Sequence, residues 1–259
     1  MPKGYWIPHI DVSDPEGYKA YMAATPPAHH KYNGVALVRG GRMEVAEGRG
    51  RARNVLREFP DYAAALACYR SPEYQGAKPM RLAHATSDFV IVEGHDGEQP
   101  PRPVSPPPPG PRKGYWIAHV DVTDPEGYQA YMGADMAPLG KFGGRFLVRG
   151  GAHEVVEGRV RSRTVVLEFP SFEAALACYR GPEYQAAKRL RDGKAEFDLV
   201  IVEGHDDVPS WHEGGKDGKG LLDRRRRHQH PGGLRRISQA QRDRLRQVRR
   251  KIPGARRPP

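Results

Sequence analysis

The stretch KGYWIPHIDVSDPEGY, Lys3 to Tyr18, returns as KGYWIAHVDVTDPEGY, Lys113 to Tyr128. The offset of 110 positions then holds without a gap as far as His95-Asp96 and His205-Asp206. A period of this length is well beyond the roughly 20 to 50 residues of a solenoid unit, so each copy is expected to be a whole small domain. Copies of roughly 95 residues can bury a core of their own, but they stand at the small end of autonomous stability and would gain from a mate.

Within a copy, Tyr5 to Val12 alternates like a strand, and Ser13-Asp14-Pro15-Glu16 reads as a helix start, with Asp14 as cap and Pro15 at the first helical position. Thr25-Pro26-Pro27 interrupts that helix, where the second copy has Asp135-Met136-Ala137 before Pro138. VALVRGG and MEVAEG read as a pair of strands joined in a hairpin, and Arg53 to Phe59 as another strand closed by Pro60. Asp61 opens an alanine-rich helix that breaks near Ser71-Pro72. DFVIVEG, from Asp88, is almost continuously apolar and is expected inside the sheet. The order β, α, two strands, α, β is the split βαβ arrangement of ferredoxin-like domains, an antiparallel sheet with both helices on one face. The bare face needs a partner, and the duplicated chain carries one. The chain is therefore expected to be α+β, with ferredoxin-like (βαββαβ) domains over 1–97 and 113–207 and a proline-rich linker over 98–112. About 16 linker residues in extended polyproline geometry reach on the order of 50 Å, enough to let the sheets meet. Reach does not fix orientation, so two beads on a string stay open as the alternative.

The net charge of +11 suggests a polyanion partner until it is located. Gly215 to Pro259 holds 16 Lys and Arg against 3 Asp, more than the whole excess, so the repeats are not basic. The segment 208–259 is expected to be a disordered basic tail, with weak nucleic-acid binding by counterion release as its one partner call and a solvated tail without function as the alternative. Without a membrane-length apolar run or a leader pattern, the expectation is a soluble, cytoplasmic protein. Cys68 and Cys178 stand at equivalent helix positions and read as buried packing, not as a disulfide.

KGYWIAHVDVTDPEGY, GGRFLVRGGAHEVVEG, RTVVLEFPSFEAALACYRGPEYQAAKRLR and FDLVIVEGHD resemble the domain-of-unknown-function family 1330, within the dimeric α/β-barrel superfamily. The resemblance covers both copies, about three quarters of the chain. It implies that the two units pair sheet against sheet as an intramolecular dimeric α/β barrel, and it settles no reaction. Pro8 for Ala118, Arg57 for Leu167 and Pro79 for Arg189 carry physical cost in the first copy, so the second is the expected holder of an intact site.

Strand alternation puts Trp116, Ala118, Val120 and Val122 toward the helices, and Tyr115, Ile117, His119 and Asp121 into the space between sheets. Counted the same way, Arg149 and Glu168 project into that space. The predicted constellation is His119 as acid or base, Glu168 as its orienter or as the base itself, and Arg149 as an anion clamp, with Tyr115 and Asp121 as further ligand contacts. The first copy holds His9, Glu58 and Arg39 at the matching positions. A satisfied structural His–carboxylate pair is the alternative. No cofactor and no metal site is expected, since His153 with Glu154 or Glu157 lacks a paired ligand motif. The expected function is binding of an unknown small molecule, with cofactor-free acid/base catalysis as its extension. The competing function is a non-catalytic stress-related or scaffolding barrel.

Overall fold

The computed structural model describes residues 1–205, and the tail lies outside the described residues. The first half runs β1 (Gly4–Val12), α1 (Pro15–Ala24), α2 (Pro26–Lys31), β2 (Val35–Arg39), β3 (Met43–Glu47), β4 (Arg53–Phe59), α3 (Tyr62–Arg70), α4 (Pro72–Leu82) and β5 (Ala85–Glu93). The second repeats it as β6 (Gly114–Val122), α5 (Pro125–Ala134), α6 (Met136–Lys141), β7 (Arg145–Arg149), β8 (His153–Glu157), β9 (Arg163–Phe169), α7 (Phe172–Arg180), α8 (Pro182–Arg189) and β10 (Ala195–Glu203). Local chemistry sets the helix starts. Asp14 accepts from the amides of Glu16 and Gly17, Asp124 from that of Gly127, and Asp61 from that of Ala64.

Each half contributes an antiparallel ferredoxin-like order, β2-β4-β1-β5 and β10-β6-β9-β7, and each sheet takes a fifth strand from the other half. β8 pairs with β5, and β3 pairs with β10. The expected β2–β3 hairpin is therefore absent. Gly40 and Gly41, at φ 75° and 119°, turn the chain out of one sheet, and β3 lies down on the open edge of the other. This exchange explains the continuous apolar run of β5. Alone, its half would leave β5 at an edge, whereas β8 makes it interior.

The halves meet through their sheets. Ile7, Leu56 and Val90 pack against Ile117, Val166 and Val200 in one apolar layer, with the helices on the outer faces. At the exchanged strands, Arg81 of α4 pairs with Glu157 of β8 at 2.6 Å, and Arg191, just after α8, pairs with Glu47 of β3 at 2.5 Å. The linker follows β7: the Gln99 side chain accepts from the Phe146 amide and donates to its carbonyl, at 2.8 and 3.0 Å. None of the helices is long and apolar enough to cross a membrane among the described residues.

Two costs foreseen in the first copy take physical form. Pro8 stands in the central strand β1, and the β1–β4 pairing is interrupted at Ile7 and Pro8, where β6–β9 is continuous. Arg57 turns toward the helix layer and donates to the Gly34 carbonyl at 2.8 Å. Burial, together with the charge of Arg39, pulls its guanidinium down to about 10.

Candidate functional site

His9 and His119 are the 110-offset pair of β1 and β6, and both point into the space between the sheets. Their Nε2 atoms lie 2.8 Å apart, and the two residues are 7 % and 5 % exposed. The rings are T-shaped, 83° between planes. Burial holds both imidazoles below their usual pKa, His119 well below it with the charges of His9 and Arg161 adding to the effect. Two neutral rings facing nitrogen to nitrogen must differ in tautomer, because one has to donate and the other accept.

Their outer neighbours set which does which. His9 Nδ1 meets Asn54 Oδ1, while the Asn54 amide nitrogen donates to the Arg51 carbonyl at 3.4 Å and toward Met43 Sδ. The Asn54 oxygen can only accept, so His9 carries its proton on Nδ1 and accepts at Nε2. His119 therefore donates from Nε2, and its Nδ1 accepts from the Thr164 hydroxyl at 3.1 Å. The result is a directed chain, Thr164 to His119 to His9 to Asn54, across the seam between halves. Its polarity comes from Asn54 and Thr164, which occupy equivalent positions in the repeat.

The pair forms the floor of a cleft of about 450 Å³ that is also lined by Asp11, Arg49, Arg51, Asp88, Arg159 and Asp198. Arg49 and Arg159, the last residues of the repeated triplets Glu47-Gly48-Arg49 and Glu157-Gly158-Arg159, line it from either half. Gly48, at φ 60°, passes so close to the other half that a Cβ would lie 2.2 Å from the Phe197 carbonyl oxygen. That approach lets the Arg49 amide donate to Asp198 at 2.8 Å, and the Arg159 amide donates to Asp88 at 2.9 Å. Arg51 is committed to Asp11 and Asp88, and Arg161 to Asp121, Glu196 and Asp198. The guanidinium groups of Arg49 and Arg159 are exposed and make no ion pair among the described residues.

The residues predicted as one constellation fall in three places. His119 is opposite Thr164 in the β6–β9 ladder and Tyr115 is opposite Glu168, so His119 and Glu168 are four residues apart along the strands, about 13 Å. Glu168 instead accepts from the Tyr115 hydroxyl at 3.1 Å and pairs with Lys113 at 3.0 Å. Glu58 does the same with Tyr5 at 2.9 Å and Lys3 at 3.3 Å. Arg149 is on the helix side, its guanidinium carbon 4.5 Å from the centre of the Phe146 ring. The cause is a register shift between Phe146 and Val148, which puts Arg149 opposite Val165. One extra residue reverses the face of every residue after it. The same shift between Ala36 and Val38 puts Arg39 opposite Val55. Asp121 stands beside the cleft, held by the Ser162 amide at 2.8 Å and by Arg161. Sequence reasoning passed over Asn54, Thr164, Arg49 and Arg159, although the Glu-Gly-Arg triplet recurs at the repeat offset.

His153 is in β8 beside the other half's Val92, Glu154 pairs with Arg70, and Glu157 pairs with Arg81. Cys68 and Cys178 are free and buried, and burial raises both thiols, Cys68 to about 12. No group of three or more His, Cys, Asp and Glu able to hold a metal occurs among the described residues.

The family described as "Domain of unknown function (DUF1330)" matches residues 3–95 and again 113–205. No curated protein matches the chain. The solved structures it is similar to include an anthrone oxidase-like protein, 16% identical, covering 79% of this chain and 92% of that one, with a TM-score of 0.48. Another is a variant chlorite dismutase from Candidatus Nitrospira defluvii, 8% identical over 78% and 91% of the two chains, TM-score 0.45. A protein of unknown function from Rhodopseudomonas palustris is 19% identical over 37% of this chain and 85% of its own, TM-score 0.32.

Proposed function

The chain belongs to the DUF1330 family, in two copies, and on that premise we propose that its barrel binds a small anionic molecule in the cleft between the sheets, where His9 and His119 pass a proton. The observation that carries this reading is the 2.8 Å contact between the two Nε2 atoms at the floor of that cleft. A cleft of about 450 Å³ is in the range of small-molecule sites. Arg49 and Arg159 stand at its rim as a pair of cations without acidic partners among the described residues, which favours a ligand with negative charge at two ends. Reversing the tautomers requires the Asn54 amide to turn its nitrogen toward His9, and a ligand that takes or gives a proton at one end of the chain then moves a proton across the seam. Glu168 has no part in this chemistry, because Tyr115 and Lys113 hold it four residues away.

Titrating the full-length chain with succinate, followed by thermal shift and by calorimetry in buffers of different ionisation enthalpy, tests the reading. The expected result is saturable stabilisation, lost in the double substitution Arg49→Ala and Arg159→Ala, with a proton exchange that His119→Gln removes. Binding that both variants retain unchanged would place the ligand elsewhere. The non-catalytic reading has its own support, since all four ring nitrogens of the pair already have partners. On that reading the pair is a structural bridge, and calorimetry would show no proton exchange. The domain limits 1–97, 98–112 and 113–207 are kept as part of the proposal, and nucleic-acid binding by the tail concerns residues outside those described.

A further inference from the structure

The second half holds a cavity of about 40 Å³ on the helix side of its sheet, walled by Trp116, Ala118, Phe146, Leu167 and Phe197. Its charged members are Asp135, Arg149 and Arg163. Asp135 is 7 % exposed, and its Oδ1 has no hydrogen-bond partner. Arg163 Nε is likewise unpartnered, and neither Arg149 nor Arg163 makes an ion pair among the described residues. An acid and two arginines thus border one small aromatic-walled space with no ion pair between them, the one bond among them running from the Arg163 guanidinium to the Arg149 carbonyl at 3.2 Å. Unmade hydrogen bonds of buried groups are costly, and since the Nε of Arg53 in the first half is unpartnered as well, it is the Asp135 oxygen that sets this space apart.

The first half makes the same region differently. Thr25, His29 and Ala36 stand where the second has Asp135, Leu139 and Phe146, and the Arg57 side chain replaces that of Leu167. There a cation of the chain itself occupies the helix layer.

We propose that the cavity of the second half is a binding site for a short-chain monocarboxylate. One carboxylate oxygen accepts from Arg163 Nε–H, the other accepts a hydrogen bond from the Asp135 carboxyl, and the alkyl group rests against the aromatic walls. One water needs about 10–15 Å³, so the space suits the few non-hydrogen atoms of acetate. Two carboxyl groups in contact need one proton between them. Burial raises Asp135 to about 7 against the opposing charges of Arg149, Arg191 and Arg163 and a hydrogen bond with Tyr131, so it can keep that proton near neutrality. The other groups facing it are Tyr128 and Tyr131 from α5, Cys178 from α7 and Tyr184 from α8, all raised by burial and neutral over this range.

The test is a titration of the full-length chain with acetate at pH 6 and pH 8, read by NMR shifts of Asp135, Phe146 and Trp116. Saturable binding is expected, weaker by about tenfold at pH 8 as Asp135 ionises. Asp135→Asn should keep binding and lose the pH dependence, since the amide donates at either pH. Leu167→Arg, which installs the first half's cation, should abolish binding. If that variant does not fold, the pH profile of Asp135→Asn decides alone. Any of four results overturns the proposal: no saturable acetate binding, acetamide bound as tightly as acetate, affinity that rises with pH, or only an ordered water that acetate does not displace. Succinate is too large for the space, so this outcome is separate from that of the cleft.

Discussion

The two halves share their strands, the Asp14 and Asp124 caps and their tryptophan anchors, yet their helix layers differ in the ionisable groups they hold. The first sets a half-buried histidine and a half-buried arginine, His29 and Arg57, where the second has the buried Leu139 and Leu167. Burial drives His29 down to about 2, helped by the charges of Arg57, Arg39 and His30. In the same layer the second half buries an acid, Asp135, raised to about 7. Outside this layer the anchoring is retained: Trp6 donates to the Ala65 carbonyl at 2.8 Å and Trp116 to that of Ala175 at 3.1 Å. Divergence is thus largest in the helix layer of each half, and where the halves meet it is confined to single exchanges such as Leu56 for Val166, Asn54 for Thr164 and Ser87 for Phe197.

The largest effect should come from the ion pairs of the exchanged strands. Glu157 accepts from Arg81, from Ser87 at 2.7 Å and from the Tyr69 hydroxyl at 2.9 Å. Burial alone would raise it, but Arg81 and these hydrogen bonds hold it below the usual carboxylate range. Glu157→Ala strands a guanidinium that is 1 % exposed and is expected to cost about 3–5 kcal/mol in denaturant unfolding. Glu47→Ala should cost less, because the Arg191 guanidinium also stacks 3.4 Å from the centre of the Phe197 ring. Equal losses would show that the two seams are equivalent after all.

Next comes the opposed titration of the helix layers. A histidine depressed in the folded state contributes stability above its unfolded pKa near 6.5 and loses it as pH falls toward about 2. His29→Leu should therefore flatten the loss of stability between pH 6 and pH 3. An acid raised in the folded state works the other way. Its full contribution is present below the unfolded value near 3.9 and is lost as pH rises through about 7, so Asp135→Asn should gain on the order of 3 kcal/mol at pH 8 and little at pH 4. Parallel pH profiles for the two variants would erase the contrast.

The smallest effect separates Asn54 from Thr164. Thr164→Asn must either present its oxygen and leave two lone pairs facing at the seam, or turn its nitrogen to His119 against the orientation Asn54 adopts, and is expected to cost about 1–3 kcal/mol. Asn54→Thr should be nearly neutral, because a hydroxyl can donate or accept. Thermal unfolding of the two variants orders them, and an equal cost would mean that the chain of hydrogen bonds has no fixed direction.

Much of this architecture can be read from residue order. The 110-residue offset gives the two halves, Asp-Pro-Glu gives the helix starts, and alternation in β6 gives the face of His119. Partner choice between strands is different, since β3 and β8 carry no local mark of which edge they will complete. The site was harder still. A single extra residue in β7 turned Arg149 to the other face, and alternation cannot show how far along a strand His119 lies from Glu168. Asp135 was visible only as the residue at a helix break, because its burial comes from Phe146, Leu167 and Phe197, distant in the chain.

Strand exchange also sets the order in which the barrel can be finished. β3, residues Met43–Glu47, has its ladder partner only in β10, Ala195–Glu203, so one sheet waits for nearly the last of the described chain. Contacts of such sequence separation make for slow assembly and keep strand edges unpaired in the meantime. On the ribosome, the first half would emerge with β3 bare and β5 still lacking β8, open to any other edge until synthesis has passed both.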